Sequence, residues 1–348
     1  MQKTVETLVG DTPDVTFTFS VYRFDGGRDA PSAYIQAALH ADELPGVVAV
    51  DALMPLLRKA EAEGRFLGKL TIAPHANPIG HGQFLFGDPQ SRFHLRTRTN
   101  FNREFPLLET PDTSRLNSVS SALSVDQRLK ARLLQLSVGH DIVLDLHCDD
   151  EGVPYLYVPK ILWPAMSDVA AAMNMQAVVL WDGSSGSSFD EASISPYLND
   201  STVDLARRVV TTVEYRGVRD VRADLAEADA LGIYRVLVAR GVISDPSVKF
   251  EPYSGLAAPI ENIEMVKTPV AGPVLFHVAP GDRVEAGALL ATVVAAPGEP
   301  DGRVEIRAPQ AGYILTHRVC RSLVAGDDVL KLVGVGPSAA HKDGALED

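Results

Sequence analysis

Three largely apolar runs constrain this chain most, because each ends on a polar residue of one particular kind. "AYIQAAL" (33–39) runs into His40, "DIVLDL" (141–146) into His147, and "VVTTV" (209–213) into Glu214. Short apolar runs bounded by turns read as buried strands. Helical spacing separates them in "PGVVAVDALMPLLRKAEAEG", where Pro45 suits a first turn and Gly64 a stop, and in "SVDQRLKARLLQLS". Further strands are expected at "VTFTFSVYR" (15–23), "LGKLTIAPHANP", "YLYVP" and "AVVLWDG", and a further helix in "DVRADLAEADALGIYRVLVARG". Strands alternating with helices predict an α/β layer on a mostly parallel sheet. Such sheets place their sites at the carboxyl ends of strands, where His40, His147 and Glu214 all fall.

A chain of 348 residues suggests about two domains. The net charge of −13 argues against nucleic acid or an anionic membrane as partner, since both need a basic face. A local basic pocket for a carboxylate stays compatible with it. Cys148 and Cys320 make no disulfide framework. The opening "MQKTVETLVGDTPDVTF" has no apolar signal segment, and no run approaches the roughly 18 apolar residues of a membrane span. A soluble, cytoplasmic protein is the expectation, and a homodimer fits the prevalence of symmetric oligomers.

After about residue 250 the helical pattern stops and Val/Leu-rich strands alternate with Gly and Pro. "TPVAGPVLFHVAPGDRVEAGALL" and "RAPQAGYILTHRVCRSLVAGDDVL" align at an offset of forty, matching Pro269/Pro309, Gly272/Gly312, His277/His317 and Val284/Val324. Two such half-units predict a small pseudo-symmetric β-sandwich, similar to the barrel-sandwich hybrid fold of biotinyl and lipoyl carriers. Carriers modify a lysine on the hairpin between the halves; here "VVAAPGEPDGRVEI" has none. The expected organisation is a catalytic domain over 1–250, the β-domain over 251–335 and a frayed polar tail over 336–348.

His40 and Glu43 stand three apart before a helix, and His147 closes a second strand. Two imidazoles and a carboxylate make a zinc set that leaves a fourth position for water. Glu214 ends a β-branched strand, where a carboxylate is unusual unless it faces a site; a buried salt bridge to Arg216 or Arg219 is the rival reading. Asn102-Arg103 offers an amide beside a planar guanidinium fork that suits a carboxylate or polarised carbonyl. "DGSSGSS" (182–188) reads as a flexible loop over the site, and Cys148, next to His147 on a strand, as packed behind it. His75 and His81 raise the question of a second metal, but read more simply as turn and rim residues.

The ordered set His40-x-x-Glu43, Asn102-Arg103, His147 in "DLH", and Glu214 resembles the succinylglutamate desuccinylase/aspartoacylase family of zinc carboxypeptidase-like hydrolases, over roughly residues 30–245. The resemblance implies a mixed sheet flanked by helices, with a C-terminal all-β domain like those of many bacterial members. It implies one Zn2+ per chain on His40, Glu43 and His147, and substrate contacts from Asn102 and Arg103. It also implies Glu214 as acid/base for a zinc-activated water that cleaves the amide of a small N-acyl amino acid or N-acyl amine. Two departures stand out. The family's E-x-G is here Glu214-Tyr215-Arg216-Gly217, and its additional substrate arginine has two candidates, Arg96 and Arg98. The mix of arginine with Asp149 and Asp150 suggests a substrate carrying both an anion and a cation, such as an N-acyl diamino acid. Two rival functions remain: a carboxypeptidase-type peptidase, and a non-enzymatic binding protein with a vestigial metal site.

Overall fold

The computed structural model describes residues 1–120, 122–341 and 346. Nine strands form one sheet, in the order Gln2–Val9, Thr16–Asp25, Lys69–Ala73, Ser32–Ala37, Ile142–Asp149, Val209–Gly217, Tyr155–Pro159, Ala177–Trp181 and Leu256–Pro259. The third to sixth of these run parallel. Tyr155–Pro159 opposes its neighbour Val209–Gly217 and begins a second parallel group. The two outer strands at the other edge are antiparallel. The sheet is therefore mixed, as the family resemblance implied. Strand–helix alternation alone overstated its parallel character.

The central strand Ile142–Asp149 is buried from Ile142 to Cys148, which explains its continuous apolar reading. Helix Pro45–Ala62 opens on a proline, whose missing N–H costs nothing in a first turn. It buries Ala49, Val50, Leu53, Leu57 and Ala60, the helical repeat that the sequence shows. Burial of each leucine contributes about 1.5–3 kcal/mol. A Cβ on Gly46 would stand 2.7 Å from the Leu146 Cβ, so a glycine lets the first turn seat against the strand that carries His147. Helix Val125–Ser137 begins with a capping box between Ser124 and Gln127.

The composition changes near residue 250, yet Leu256–Pro259 still completes the large sheet, so that layer ends later than the sequence suggested. Beyond it the repeat becomes visible as structure. Ile263–Lys267, Gly272–Phe276, Arg283–Val284 and Leu289–Val294 recur as Arg303–Arg307, Gly312–His317, Ser322–Leu323 and Asp328–Gly334. One sheet takes the first and third strands of the first half with the second and fourth of the other; the remaining strands make its counterpart. Exchanging the halves maps one sheet onto the other. Both enclose a core that includes Leu290, Val293, Ile314, Val329 and Leu332. Glu151–Gly152, just past the His147 strand, extends one of these sheets by pairing with Gly312–His317.

The polar tail lies partly outside the described residues. Its beginning is docked rather than frayed: Ser338 is buried and donates to Glu264 Oε2 at 2.5 Å. Among the described residues no helix is long and apolar enough to cross a membrane.

Candidate active site

Strand register brings the polar strand ends together. Ala37 pairs with Leu146, and His147 pairs with Glu214. After Ala37 the chain turns through Ala38, at a positive φ of 57°. Asn77 holds this turn by donating its side-chain N–H to the Leu39 carbonyl at 2.8 Å. Glu43 N–H then donates to the His40 carbonyl at 3.1 Å. One tight turn thus projects both side chains to the same side.

Glu43 receives both imidazoles. His40 Nδ1 lies 2.8 Å from Oε1, and His147 Nδ1 lies 2.7 Å from Oε2. All three residues are buried. The opposite ring nitrogens are fixed by neighbours. Asn102 N–H donates to Asn100 Oδ1 at 2.8 Å, which identifies the amide oxygen as the atom 2.8 Å from His40 Nε2. His147 Nε2 meets Asp145 Oδ2 at 2.9 Å, and Asp145 Oδ1 accepts from Gln36 Nε2 at 2.9 Å. Acceptors at both Nε2 atoms place the ring protons there and turn both Nδ1 lone pairs towards a carboxylate. Lone pairs facing a carboxylate repel unless a cation lies between them. Among the described residues these three form the only group of His, Cys, Asp or Glu able to hold a metal ion, with donor atoms within 4.8 Å of one another.

In the metal-free protein a second proton on His147 serves as that cation, and the electrostatics show the pull towards it. Burial pushes the Glu43 carboxyl up, but the two imidazoles outweigh it and hold it well below the usual range. Burial lowers His40, whose outer partner is a neutral amide. Burial lowers His147 too, yet the Asp145 and Glu43 carboxylates more than offset it and raise the ring well above its ordinary value.

Glu214 borders the same cavity, and its Oε2 is buried without a hydrogen-bond partner. Burial, reinforced by Glu43, pushes it up to about 8. The rival salt bridge to Arg216 does not form there, since Arg216 pairs with Asp229. The extra residue before Gly217 has a structural resolution. The strand bulges between Glu214 and Gly217, Arg216 takes a φ of 58°, and Gly217 returns to register opposite Asp149.

The cavity, of about 260 Å³, is also lined by Asn102, Arg103 and Arg92. Asn102 Oδ1 accepts from Phe189 N–H at 2.8 Å, and Arg103 Nη1 donates to the Asn102 carbonyl at 2.7 Å. Arg96 and Arg98 lie elsewhere: Arg96 is largely exposed and pairs with Asp11, and Arg98 is exposed at a positive φ of 63°. The additional arginine at the cavity is Arg92, 3.7 Å from Glu43 Oε1. The Gly/Ser loop does lie at the site, but it is strapped down. Glu191 accepts from Ser185 and Ser187 N–H, and Glu104 and Phe105 N–H donate to the Gly186 and Ser187 carbonyls. Cys148 lies on the cavity wall rather than behind it, with its thiol pushed well up by burial. The rings of His75 and His81 lie tilted against each other, centroids 5.2 Å apart, away from this cavity.

Sequence reasoning missed Asn100, Asp145, Arg92 and Lys331. Asp145 had a signal, since it stands two residues before His147 and shares its strand face. Lys331 comes from the C-terminal β unit, and it lines the cavity with its Nζ 2.6 Å from Asp149 Oδ2.

Residues 29–240 match the family model of the succinylglutamate desuccinylase/aspartoacylase catalytic domain. No curated protein matches the chain. Among solved structures, a succinylglutamate desuccinylase/aspartoacylase family protein from Shewanella amazonensis is 25% identical, with a TM-score of 0.82 over 96% of this chain and 98% of that one. A counterpart from Shewanella frigidimarina is 24% identical, with a TM-score of 0.80 over 97% and 99%. The product-bound ectoine utilization protein EutE (DoeB) from Ruegeria pomeroyi is 21% identical, with a TM-score of 0.71 over 95% of each. With its catalytic region matched and its strand-end residues gathered at one buried centre, the chain belongs to the succinylglutamate desuccinylase/aspartoacylase family of hydrolases.

Proposed function

We propose that this protein is a Zn2+-dependent deacylase that hydrolyses the amide of a small N-acyl amino acid or N-acyl amine. The observation that carries this reading is the pair of buried imidazole Nδ1 atoms turned onto Glu43, with the unpartnered Glu214 Oε2 in the same cavity. Two imidazoles and one carboxylate are a catalytic zinc donor set. When bound, Zn2+ supplies a Lewis acid that makes water nucleophilic at neutral pH.

The chain's own residues supply the rest. Glu214 accepts the attacking water's proton and returns it to the leaving nitrogen, which frees a carboxylic acid and an amine. A carboxylate raised by burial is a stronger base towards the water's proton than an ordinary glutamate, and a value nearer neutrality still lets it pass that proton to the more basic leaving nitrogen. Arg103 supplies a fixed positive charge for the developing oxyanion. Asn100 and Asp145 orient the imidazoles. A cavity of about 260 Å³ favours a small N-acyl compound over a peptide.

Metal content of the purified protein, with hydrolysis of an N-acyl amino acid and N-acyl diamine panel with and without chelator, tests the reading. About one Zn2+ per chain and chelator-sensitive amine release are expected. Cleavage of dipeptides but no N-acyl amino acid would transfer the protein to the peptidases. No metal, and no turnover after zinc is restored, would end the enzymatic reading.

A further inference from the structure

The acidic run that follows His147 docks on the C-terminal β unit at three successive residues. Asp149 pairs with Lys331, Asp150 lies 3.8 Å from Arg318, and Glu151 pairs with Arg321 and His317. The Glu151 contacts accompany the Glu151–Gly152 pairing that joins the units. Lys331 differs from them. Its side chain is 8% exposed, that of Asp149 is 9% exposed, and both line the cavity that holds His40, His147 and Glu214. Removing two charges from water is costly, and an apolar pair would fill the same space at least as stably. Tyr155 donates to Asp149 Oδ2 at 2.7 Å, which fixes the carboxylate on which the ammonium rests.

Charge distribution indicates what the ammonium meets. The chain carries a net charge of −13, so its overall field repels anions. Arg92, Arg103 and Lys331 stand at one small cavity, among carboxylates that include Asp42, Asp150 and Asp190. Arg92 stands beside Glu43, and Arg103 beside Asn102. Lys331 is the cation brought from the other unit.

We propose that Lys331 is a specificity-determining residue, through which the C-terminal β unit binds a carboxylate of the substrate, with Asp149 as its counter-ion when the cavity is empty. The inference rests on the deacylase reading and assigns the β unit a direct part in substrate selection. Ammonium and carboxylate form a charge-assisted hydrogen bond that an uncharged substrate end cannot match.

The test uses full-length, zinc-loaded protein and matched substrates: N-acetyl amino acids and their α-carboxamides, and N-succinyl and N-acetyl derivatives of one amine. Wild type should prefer the carboxylate member of at least one pair. Lys331→Met should lower kcat/KM for that member about 10- to 100-fold, mostly through KM, and leave the uncharged member within about threefold. Lys331→Arg should keep the preference. Loss of one partner of a buried pair also destabilises the fold, so Asp149→Asn/Lys331→Met provides the control. It should recover thermal stability without recovering the preference. A preference intact in the double variant, or equal losses for both members in every pair, would overturn the proposal. A wild type that turns over neither member of any pair while carrying zinc would instead remove the deacylase reading, and this assignment with it.

Discussion

Glu214 and His147 are direct register partners on adjacent parallel strands. Residues so paired share a face of the sheet, so one backbone relationship delivers the imidazole proposed as a metal ligand and the carboxylate proposed as acid/base to the same cavity. No loop has to fold correctly for the two to meet. The bulge that follows Glu214 begins only after this pairing is complete, and so the additional residue before Gly217 leaves it undisturbed.

That arrangement predicts separable roles. Glu214→Ala should lower kcat by about 10²- to 10⁴-fold, the usual worth of a general acid/base. Zinc stoichiometry should stay at the wild-type level, because Glu214 is not one of the three converging donors. Metal analysis beside steady-state kinetics checks both halves. Loss of zinc would make Glu214 a ligand, and unchanged kcat would remove it from the mechanism.

Glu214 also predicts a pH-dependent cost to the metal-free protein. Its carboxyl rises from an ordinary 4.5 to about 8 on folding. Below about pH 4.5 it is protonated in both states and contributes nothing. Between 4.5 and 8 the unfolded chain ionises while the folded one does not, so stability falls as pH rises; above 8 the loss is constant. Each tenfold change in the ionisation constant is worth about 1.4 kcal/mol. Glu214→Gln should therefore gain stability over wild type in metal-free protein, and gain more at about pH 9 than at about pH 5. Urea unfolding at the two pH values measures the difference, and an equal gain at both would refute the titration argument.

The outer partners of the two imidazoles should control metal affinity. Asp145→Ala removes the acceptor at His147 Nε2, and Asn100→Ala the acceptor at His40 Nε2. Either change lets the ring proton move to Nδ1, where it competes with the metal, and affinity should fall about 10- to 100-fold. Competition with a chromophoric chelator reads this without turnover. The Gln36 amide supports Asp145 from behind, so Gln36→Leu should weaken binding in the same direction by less. Wild-type affinity in both Asp145→Ala and Asn100→Ala would show that the tautomers are set by something else.

The legible part of the site consists of strand ends. His40, His147 and Glu214 stood out because buried β-branched or aliphatic runs led into them, and Glu43 because one turn links it to His40. The sheet's mixed direction was not legible from pattern, since antiparallel placement of Tyr155–Pro159 depends on its neighbours rather than on its own residues. Arg96 and Arg98 stood out as the candidates and Arg92 did not, because spacing within an irregular loop carries no direction. The Gly/Ser loop read as flexible from composition, but its order comes from Glu191 and from the backbone at Glu104 and Phe105, which composition does not register. Lys331 is 182 residues from Asp149, on a strand of another unit, and no local signal could have joined them.

Gly217 provides a mechanical test of the link between the two units. A Cβ there would come 2.6 Å from the Asp150 carbonyl oxygen and 2.9 Å from the Glu151 Cα, both backbone atoms that cannot rotate away. Those residues belong to the segment that leads from His147 into the pairing with Gly312–His317. Gly217→Ala should therefore push that segment outwards, with a loss of about 1–3 kcal/mol from overpacking. Because Asp149 stands in the same segment, KM should rise as well. Gly82→Ala is the matched control: its nearest new contact is 3.6 Å, an ordinary separation, and it carries no positive φ. Thermal melts and kinetics of the two variants decide the matter. If Gly217→Ala melts and turns over like Gly82→Ala, the bulge is loose and the close packing of this crossing does not position the site.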